Sequence, residues 1–354
     1  MRATAVPQAR PKRALHESWL RTVEGQLGAL FAPTVHPTVK RGVSAGRWEE
    51  VLLGPVNDIL GRPGKGLRAQ LVDAGFAMVQ PGRRAPAAAA ALIEILHAGS
   101  LVIDDIEDDA KTRRGGKAIH RVHGAGKALN AGNFMYFLAA QQIEELGLPP
   151  AAELRLHRMV TRTMLDCHRG QALDLGLRVG EVAQSDVPTL VAETSLLKTA
   201  ALTALATGLG VLVAGGSDEQ VAAMAGFGRE VGLALQQLDD LGDLSGKGAA
   251  ARRYEDLRNG RLTWPWAWAA EALAPIDYRR FEAVARALAG ANLGLRPNAG
   301  ALAAALLRVA GEHRRQFILH RLRGMLGELD ASFAGGGGSE RLRTLLAVLE
   351  AGYG

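Results

Sequence analysis

The chain has little of the material that disulfide-stabilised or β-rich proteins use. Its 354 residues contain one cysteine, Cys167, which excludes an intramolecular disulfide and a cysteine-based zinc cluster. Aromatic residues make up only 5% of the chain, although 48% of it is hydrophobic. A β-sandwich would need more β-branched and aromatic residues, whereas long packed helices suit a chain rich in Ala, Leu and Gly. We therefore expect an all-α protein in a reducing compartment.

Long apolar segments are also lacking. We find no apolar run of the ~18–20 residues that a membrane-spanning helix needs. The N-terminal segment is basic but is not followed by the apolar core of a signal peptide, and nothing in it favours an organellar transit peptide. These absences predict a cytoplasmic protein without stable membrane insertion. We expect residues 1–14 to be a flexible basic tail and residues 15–354 to form a single domain.

The basic residues lack the arrangement that nucleic-acid binding requires. The formal net charge is +6, but the arginines and lysines form neither one long run nor a strip interleaved with aromatic residues. An Arg-rich chain can equally serve small anionic substrates. The sequence therefore predicts no nucleic-acid partner.

An acidic cluster at the end of an apolar segment is the most informative feature present. Asp104-Asp105-Ile106-Glu107-Asp108-Asp109 follows an Ala- and Leu-rich run that we predict to be helical from about Pro86. Asp104 and Asp108 would lie one helical turn apart, and His97 falls near the same face. Like charges at that spacing repel, so a cation is expected between them. Mg²⁺ fits because it prefers carboxylate oxygens and is commonly completed by water and substrate phosphates. Alone, the cluster could equally be a solvated helix end.

A second copy of the pattern favours the metal site. Gln236-Gln237-Leu238-Asp239-Asp240-Leu241-Gly242-Asp243 again places two adjacent aspartates and a third one turn later after an apolar run. Two such clusters suggest two facing banks of carboxylates around a metal-bound polyphosphate.

Cations elsewhere in the chain could bind the same kind of ligand. Lys65 and Arg68 follow a Gly-rich segment that opens a predicted helix through Val79, where glycines and a helix N-terminus favour anions. Taken alone, this pattern is more typical of a basic loop before a surface helix. Lys198 lies in an apolar helical stretch from Val187 to Ala214, where it either reaches out to solvent or points at the anion. Gln171 and Asp174 share a helix face and could complete the carboxylate wall.

We predict helices over most of the remaining chain. Helices are predicted from about Ala125 to Leu146 and from about Ala151 to Gly176. Another follows Pro265 and ends at Leu273, and further helix is predicted from about Asp277 to the end. Residues 110–126 form a predicted Gly/Arg-rich loop, whose His120 and His123 are expected to be loop residues rather than metal ligands. We see no strand alternation.

In this order and spacing, the motifs resemble those of the trans-isoprenyl diphosphate synthase (polyprenyl synthetase) family, closest to the geranylgeranyl diphosphate synthases, over about residues 45–270. The matching segments are Pro63-Gly64-Lys65-x-x-Arg68, Asp104-Asp105-Ile106-Glu107-Asp108 with Arg113-Arg114-Gly115, Gly170-Gln171-x-x-Asp174, Lys198-Thr199, Gln236-x-x-Asp239-Asp240-x-x-Asp243, and Asp256-Leu257 before Gly260-Arg261-x-Thr263. The resemblance implies an isoprenoid synthase-type helical bundle around a deep central cavity, usually a homodimer.

The resemblance also implies roles for single residues. Lys65, Arg68, His97 and Arg114 match positions that bind isopentenyl diphosphate. Arg113, Lys198, Thr199, Gln236, Arg252 and Arg261 match positions around the allylic diphosphate. Asp104, Asp108 and Asp239, with Asp243 as a possible contributor, match ligands of about three Mg²⁺ ions. Asp104, Lys198 and Asp239 are the expected catalytic residues.

Some positions depart from the family pattern. Arg261 stands where Lys is usual, which keeps the charge but changes the hydrogen-bond geometry. The basic position after the second cluster could be filled by Lys247, which keeps the Gly-Lys dipeptide, or by Arg252, which keeps the spacing to Asp256; we favour Arg252. Gly66 and Ala69 replace the Arg and Pro of many relatives.

The implied reaction is the alkylation of isopentenyl diphosphate by an allylic cation, with Mg²⁺ and cationic side chains neutralising the leaving diphosphate. Bulky aromatic residues at the Gly99 and Ser100 positions stop elongation at farnesyl length in the family. Both are small here, so we expect geranylgeranyl diphosphate or a longer product. The alternatives are a class I terpene cyclase, which needs no isopentenyl site, and a non-catalytic subunit of a heteromeric synthase.

Overall fold

The protein is almost entirely helical in a computed structural model that describes residues 9–31, 42–245, 253–290, 297–311, 313–331, 333 and 338–353. The α-helices are α1 (Ala9–Leu30), α2 (Ala45–Trp48), α3 (Gly54–Gly61), α4 (Leu67–Val79), α5 (Ala87–Glu107), α6 (Ile119–His123), α7 (Ala125–Gln141), α8 (Pro150–Gly176), α9 (Val187–Ser195), α10 (Ala201–Val213), α11 (Asp218–Leu244), α12 (Glu255–Arg258), α13 (Trp264–Ala272), α14 (Pro275–Leu288), α15 (Ala299–Ala310), α16 (Arg314–Ala331) and α17 (Glu340–Tyr353). A short hairpin pairs β1 (Thr112–Arg113) with β2 (Gly116–Lys117).

The chain divides into two compact units. Unit 1 is Met1–Val160 with Ala206–Val221, and unit 2 is Thr161–Leu205 with Ala222–Gly354. Whether residues 15–354 behave as one domain stays a prediction.

The core of unit 1 is built on α5, which contacts α1, α4 and α7. Five alanines follow Pro86, and alanine has the highest helix propensity. The α5–α7 contact is close because Gly99 faces the Gly132 carbonyl: a Cβ on Gly99 would lie 3.0 Å from that oxygen. This packing fixes the end of α5, where the first aspartate cluster begins.

The core of unit 2 surrounds Trp266 on α13, which contacts α9 and α15. The Trp266 and Tyr278 rings meet edge to face with their centroids 5.9 Å apart. A five-residue π-helical turn, Leu196–Ala200, interrupts the helical segment between α9 and α10.

Several boundaries differ from the sequence predictions. Helix α1 begins at Ala9, so residues 9–14 are helical rather than tail. The predicted loop 110–126 contains the hairpin, α6 and the start of α7; α7 ends at Gln141 and is followed by a 3₁₀ turn, Glu144–Leu146. Two helical segments, Ala87–Glu107 and Val187–Val213, are long and apolar enough to span a membrane, contrary to the sequence prediction. They are 67% buried inside the protein, as expected of core helices.

Candidate active site

The first acidic cluster divides into a buried aspartate and exposed ones. Asp105 is fully buried and accepts a 2.8 Å hydrogen bond from Arg113 Nε. Asp104 Oδ2 lies 3.5 Å from Arg113 Nη2, and its side chain is 22% exposed. Asp108, one turn on, is exposed. Burial alone would lower the pKa of Arg113, but its hydrogen bond to Asp105 raises that pKa above the ordinary value. Asp105 therefore anchors the hairpin, whereas Asp104 and Asp108 present oxygens outward.

The four residues predicted to bind isopentenyl diphosphate surround the start of α4. Arg68 Nη1 lies 3.0 Å from His97 Nε2. A guanidinium can only donate, so the imidazole accepts and is neutral. Burial, and then the charges of Arg68 and Arg114, hold the pKa of His97 well below its usual range. Burial likewise lowers the pKa of Arg114. The half-buried guanidiniums of Arg68 and Arg114, with the exposed Lys65 just before Arg68 in the chain, favour an anionic ligand.

Two glycines and a buried glutamate shape this basic group. Gly66 has a φ of +58°, which suits glycine at the turn that opens α4. A Cβ on Gly64 would lie 3.2 Å from Arg114 Cζ, so the guanidinium lies directly over Gly64. The Ala69 N–H donates a 3.0 Å hydrogen bond to Glu94 Oε1. A proline at position 69 could not make this bond, so the departure from the family pattern has a structural use here.

Arg114 owes its placement to the hairpin, which the sequence reasoning missed. Arg114 and Gly115 have φ values of 48° and 78°, as the two central residues of a type I′ turn require. The Arg-Gly-Gly sequence was the only available signal.

The second acidic cluster shows the same division. Asp239 is exposed, whereas Asp240 is buried and accepts hydrogen bonds from Gln236 Nε2 at 2.7 Å and from the Trp264 amide at 2.8 Å. Asp240 thus ties α11 to the start of α13, and burial raises its pKa well above the ordinary value. Asp243 Oδ1 accepts a 3.3 Å hydrogen bond from the Glu255 amide, and burial also raises the pKa of Asp243.

Two of the predicted diphosphate-binding cations converge on one carboxylate. Asp174 Oδ2 accepts hydrogen bonds from Lys198 Nζ at 2.6 Å and from Arg261 Nη1 at 2.7 Å. Lys198 therefore has an acidic partner inside the protein. Thr199 Oγ1 donates to Gln236 Oε1 at 2.7 Å. The π-helical turn that carries Lys198 and Thr199 packs against Gly170, where a Cβ would overlap the Lys198 amide.

These side chains line a cleft in unit 2. Its lining includes Asp174, Lys198, Thr199, Gln236, Asp240, Asp256 and Arg261. Burial, and then the charge of Asp243, raise the pKa of Asp256 to about 7. The sequence singled out Asp256 only as part of a motif, because burial cannot be inferred from residue spacing. Arg252 and Lys247, the candidates for the remaining basic position, lie outside the described residues.

The exposed aspartates suit an oxygen-preferring metal. Among the residues that the structure describes, no group of three or more His, Cys, Asp or Glu side chains forms a ligand set by itself. Mg²⁺ needs no such set, since it is usually held by one or two carboxylates plus water and substrate phosphates. The outward oxygens of Asp104, Asp108 and Asp239 fit that requirement.

The residues expected to limit product length lie in different surroundings. A Cβ on Gly99 would meet Met135 Cβ at 3.2 Å and Tyr136 Cε1 at 3.3 Å, so this side of α5 is filled by α7. Ser100 is half-buried, and its hydroxyl donates to the His97 carbonyl at 2.9 Å. Gly99 therefore has no space for a larger side chain unless α7 shifts.

The fold is shared with solved polyprenyl synthases. The decaprenyl diphosphate synthase of Rhodobacter capsulatus matches with a TM-score of 0.73 and 20% identity over 97% of this chain and 100% of that one. A geranylgeranyl pyrophosphate synthase from Corynebacterium glutamicum, complexed with isoprenyl diphosphate and magnesium, matches with a TM-score of 0.68 and 22% identity over 96% of each chain. The predicted all-α isoprenoid synthase fold is confirmed.

The sequence comparisons agree. Geranylgeranyl pyrophosphate synthase 2 of Zymoseptoria tritici is 32% identical over 219 residues, which are 61% of this chain and 64% of the relative. The match thus spans slightly less than two thirds of that relative. The family model described as polyprenyl synthetase matches residues 49–287, more than half of the chain. The chain therefore belongs to the polyprenyl synthetase family.

Proposed function

We propose that the protein is a prenyltransferase that condenses isopentenyl diphosphate with an allylic diphosphate, giving geranylgeranyl diphosphate or a longer polyprenyl diphosphate. The observation that carries the proposal is that each unit has its own group of cations. Lys65, Arg68 and Arg114 surround the start of α4 in unit 1, and Lys198 and Arg261 line the cleft in unit 2. Two anion sites suit two diphosphate substrates, whereas a class I terpene cyclase needs one.

Each cation group has a separate task. Lys65, Arg68, His97 and Arg114 bind isopentenyl diphosphate and fix its double bond as the nucleophile. Lys198 and Arg261, with Arg113, Thr199, Gln236 and Arg252, orient the allylic diphosphate. Because Lys198 and Arg261 are held by Asp174, they are already placed when the substrate arrives, and the charge that develops on the leaving diphosphate meets fixed donors.

The exposed aspartates hold the metal. Asp104, Asp108 and Asp239, with Asp243 contributing, would hold Mg²⁺, up to three ions in all. When bound, Mg²⁺ neutralises charge on the diphosphate leaving group. Magnesium in the Corynebacterium glutamicum relative supports this choice of ion.

Purified protein incubated with isopentenyl diphosphate and each allylic primer in turn tests the assignment. We expect Mg²⁺-dependent consumption of isopentenyl diphosphate, release of diphosphate, and a lengthened prenyl product. Conversion of the allylic diphosphate without consumption of isopentenyl diphosphate would indicate a cyclase. Inactivity that is relieved by mixing in a second chain would indicate a non-catalytic subunit.

Product length gives a sharper prediction. We expect Ser100→Phe to shorten the main product to farnesyl diphosphate, because an aromatic ring one turn from Asp104 fills the space below the allylic chain. Gly126→Ala is a control, since a Cβ there meets nothing within 4 Å. Product analysis by chromatography decides; an unchanged chain length in the Ser100→Phe variant contradicts the role of this position.

We infer a cytoplasmic homodimer that is active as a single domain, binds no nucleic acid and does not insert stably into a membrane. The large exposed apolar side chains on α6 and α7 support the dimer.

A further inference from the structure

The hairpin that carries Arg113 and Arg114 is very short. Its two strands have two residues each and pair Thr112 with Lys117 and Arg113 with Gly116. An isolated two-stranded hairpin is at best marginally stable in water. The hairpin therefore needs contacts from outside its own ladder to hold Arg114 in place.

One such contact comes from Arg62, at the end of α3. Its Nη1 donates to two carbonyl oxygens of the hairpin, that of Arg113 at 3.0 Å and that of Lys117 at 2.7 Å. One nitrogen thus joins the two strands. A Cβ on Gly116 would lie 3.0 Å from this Nη1, so the hairpin has a glycine where the guanidinium approaches.

The guanidinium of Arg62 is itself held in place by Asp58, which also contacts His123. Asp58, one turn earlier on α3, accepts a 2.8 Å hydrogen bond from Arg62 Nε. The second Asp58 oxygen lies 3.0 Å from Nε2 of His123, on α6 just beyond the hairpin. The Arg62 side chain is 14% exposed and that of Asp58 26% exposed, so water competes little for these bonds.

We infer that Arg62 is a positioning residue for substrate binding: supported by Asp58 and His123, it clamps the 112–117 hairpin and so fixes Arg114 in the isopentenyl diphosphate site. This inference rests on the proposed function. Arg113 has an independent anchor in Asp105, whereas the side-chain hydrogen bond described for Arg114 is a 3.3 Å contact with the Ile59 carbonyl. Loss of the clamp should therefore affect Arg114 more than Arg113.

Steady-state kinetics on the full chain tests the inference. For Arg62→Met we expect the KM for isopentenyl diphosphate to rise about tenfold, with the KM for the allylic diphosphate and kcat changing less than about threefold. Arg62→Lys keeps a charge beside Asp58 but cannot reproduce the fork, so its KM should lie between those of Arg62→Met and the parent. Gly116→Ala leaves residue 62 as arginine but should raise the same KM, because the new methyl group crowds the Arg62 guanidinium.

Two controls separate this role from general damage. Arg47→Met removes an exposed ion pair with Glu50 and should leave both KM values unchanged. Thermal unfolding shows whether each variant remains folded. Equal changes in both KM values, or no change in Arg62→Met and Gly116→Ala, would overturn the inference. If the parent protein consumes no isopentenyl diphosphate, the proposed function itself fails. That result differs from the two outcomes that overturn only the role of Arg62.

Discussion

Adjacent aspartates in the two acidic clusters have opposite environments. Asp105 and Asp240 are buried and hydrogen-bonded to a neighbouring element, while Asp104 is partly exposed and Asp239 is exposed. A carboxylate that is buried against a neighbouring element is less accessible to a hydrated metal ion than one that reaches solvent. The first aspartate of each pair is therefore the better ligand, and the second places the helix end that carries it.

This division predicts the outcome of neutralising single aspartates. Asp104→Asn and Asp239→Asn should each lower kcat by about 10²–10³-fold, as removal of one electrostatic contact at a transition state typically does. Both variants should also need more Mg²⁺ for half-maximal rate. The measurement is initial rate against Mg²⁺ concentration.

Asp109→Asn is the matched control because it removes a carboxylate from the same acidic run. Asp109 is exposed, has a φ of 52° that asparagine tolerates, and pairs with Arg121. We expect its rate and Mg²⁺ dependence to stay within about twofold of the parent. A similar loss in all three variants would contradict the assignment of the ligands.

Asp256, in the cleft of unit 2, predicts a pH dependence of stability. Its pKa is raised from 3.8 to about 7, so between these values the folded protein keeps a proton that the unfolded chain releases. The stability from this group is fully present below pH 3.8 and is lost as the pH rises through about 7. In metal-free protein, the unfolding free energy should fall with rising pH by at most about 1.4 kcal/mol per pH unit because of this group. Asp256→Asn should make this fall less steep.

Urea unfolding between about pH 5 and 8 measures this slope. Asp277→Asn is the control, since that carboxylate lies at the surface beside Arg280. Parallel pH profiles for the parent and Asp256→Asn would show that Asp256 does not keep its proton in the folded protein.

The sequence predicted the long helices well and the short irregular elements poorly. The apolar runs and flanking prolines of α5 and α8 located them within a residue or two. The hairpin and the π-helical turn were missed because neither has a hydrophobic period. The hairpin depends on positive φ at Arg114 and on Arg62 from α3, and such distant contacts leave no mark on local spacing.

The π-helical turn depends on a glycine in the helix it packs against. Gly170 on α8 packs against the backbone of Lys198 and Leu197; a Cβ there would lie 2.9 Å from the Leu197 carbonyl carbon. Gly170→Ala should therefore push the helices apart, destabilise the fold by about 1–3 kcal/mol and lower activity by displacing Lys198. Gly176→Ala, at the end of the same helix with nothing within 4 Å, should do neither. Thermal unfolding and initial rates check both; an unaffected Gly170→Ala variant would contradict the close packing.

For the whole molecule, the family resemblance read from the motifs is confirmed, as is the all-α fold. The net charge of +6 suits the small anionic substrates proposed above, since a positive field raises their rate of encounter. Motif order could indicate which residues act, but it could not show which aspartate of each pair is buried. That depends on packing partners such as Arg113 and Trp264, which lie outside the acidic clusters.

Exposed apolar side chains on α6 and α7 are the basis of the proposed homodimer. Phe137 is 76% exposed, and Val122 and Leu129 are 50% and 46% exposed on α6 and α7. Large exposed apolar side chains are candidates for a protein interface, and a two-fold interface would use this surface on both copies. Phe137→Asp would then place one unpaired carboxylate from each copy in a dry contact and should dissociate the dimer. Sedimentation should give twice the 37.4 kDa chain mass for the parent and the single chain mass for Phe137→Asp. Phe317→Asp is the control, because Phe317 is a similarly exposed ring on α16, and this variant should remain a dimer. A dimer that survives Phe137→Asp must form through another surface.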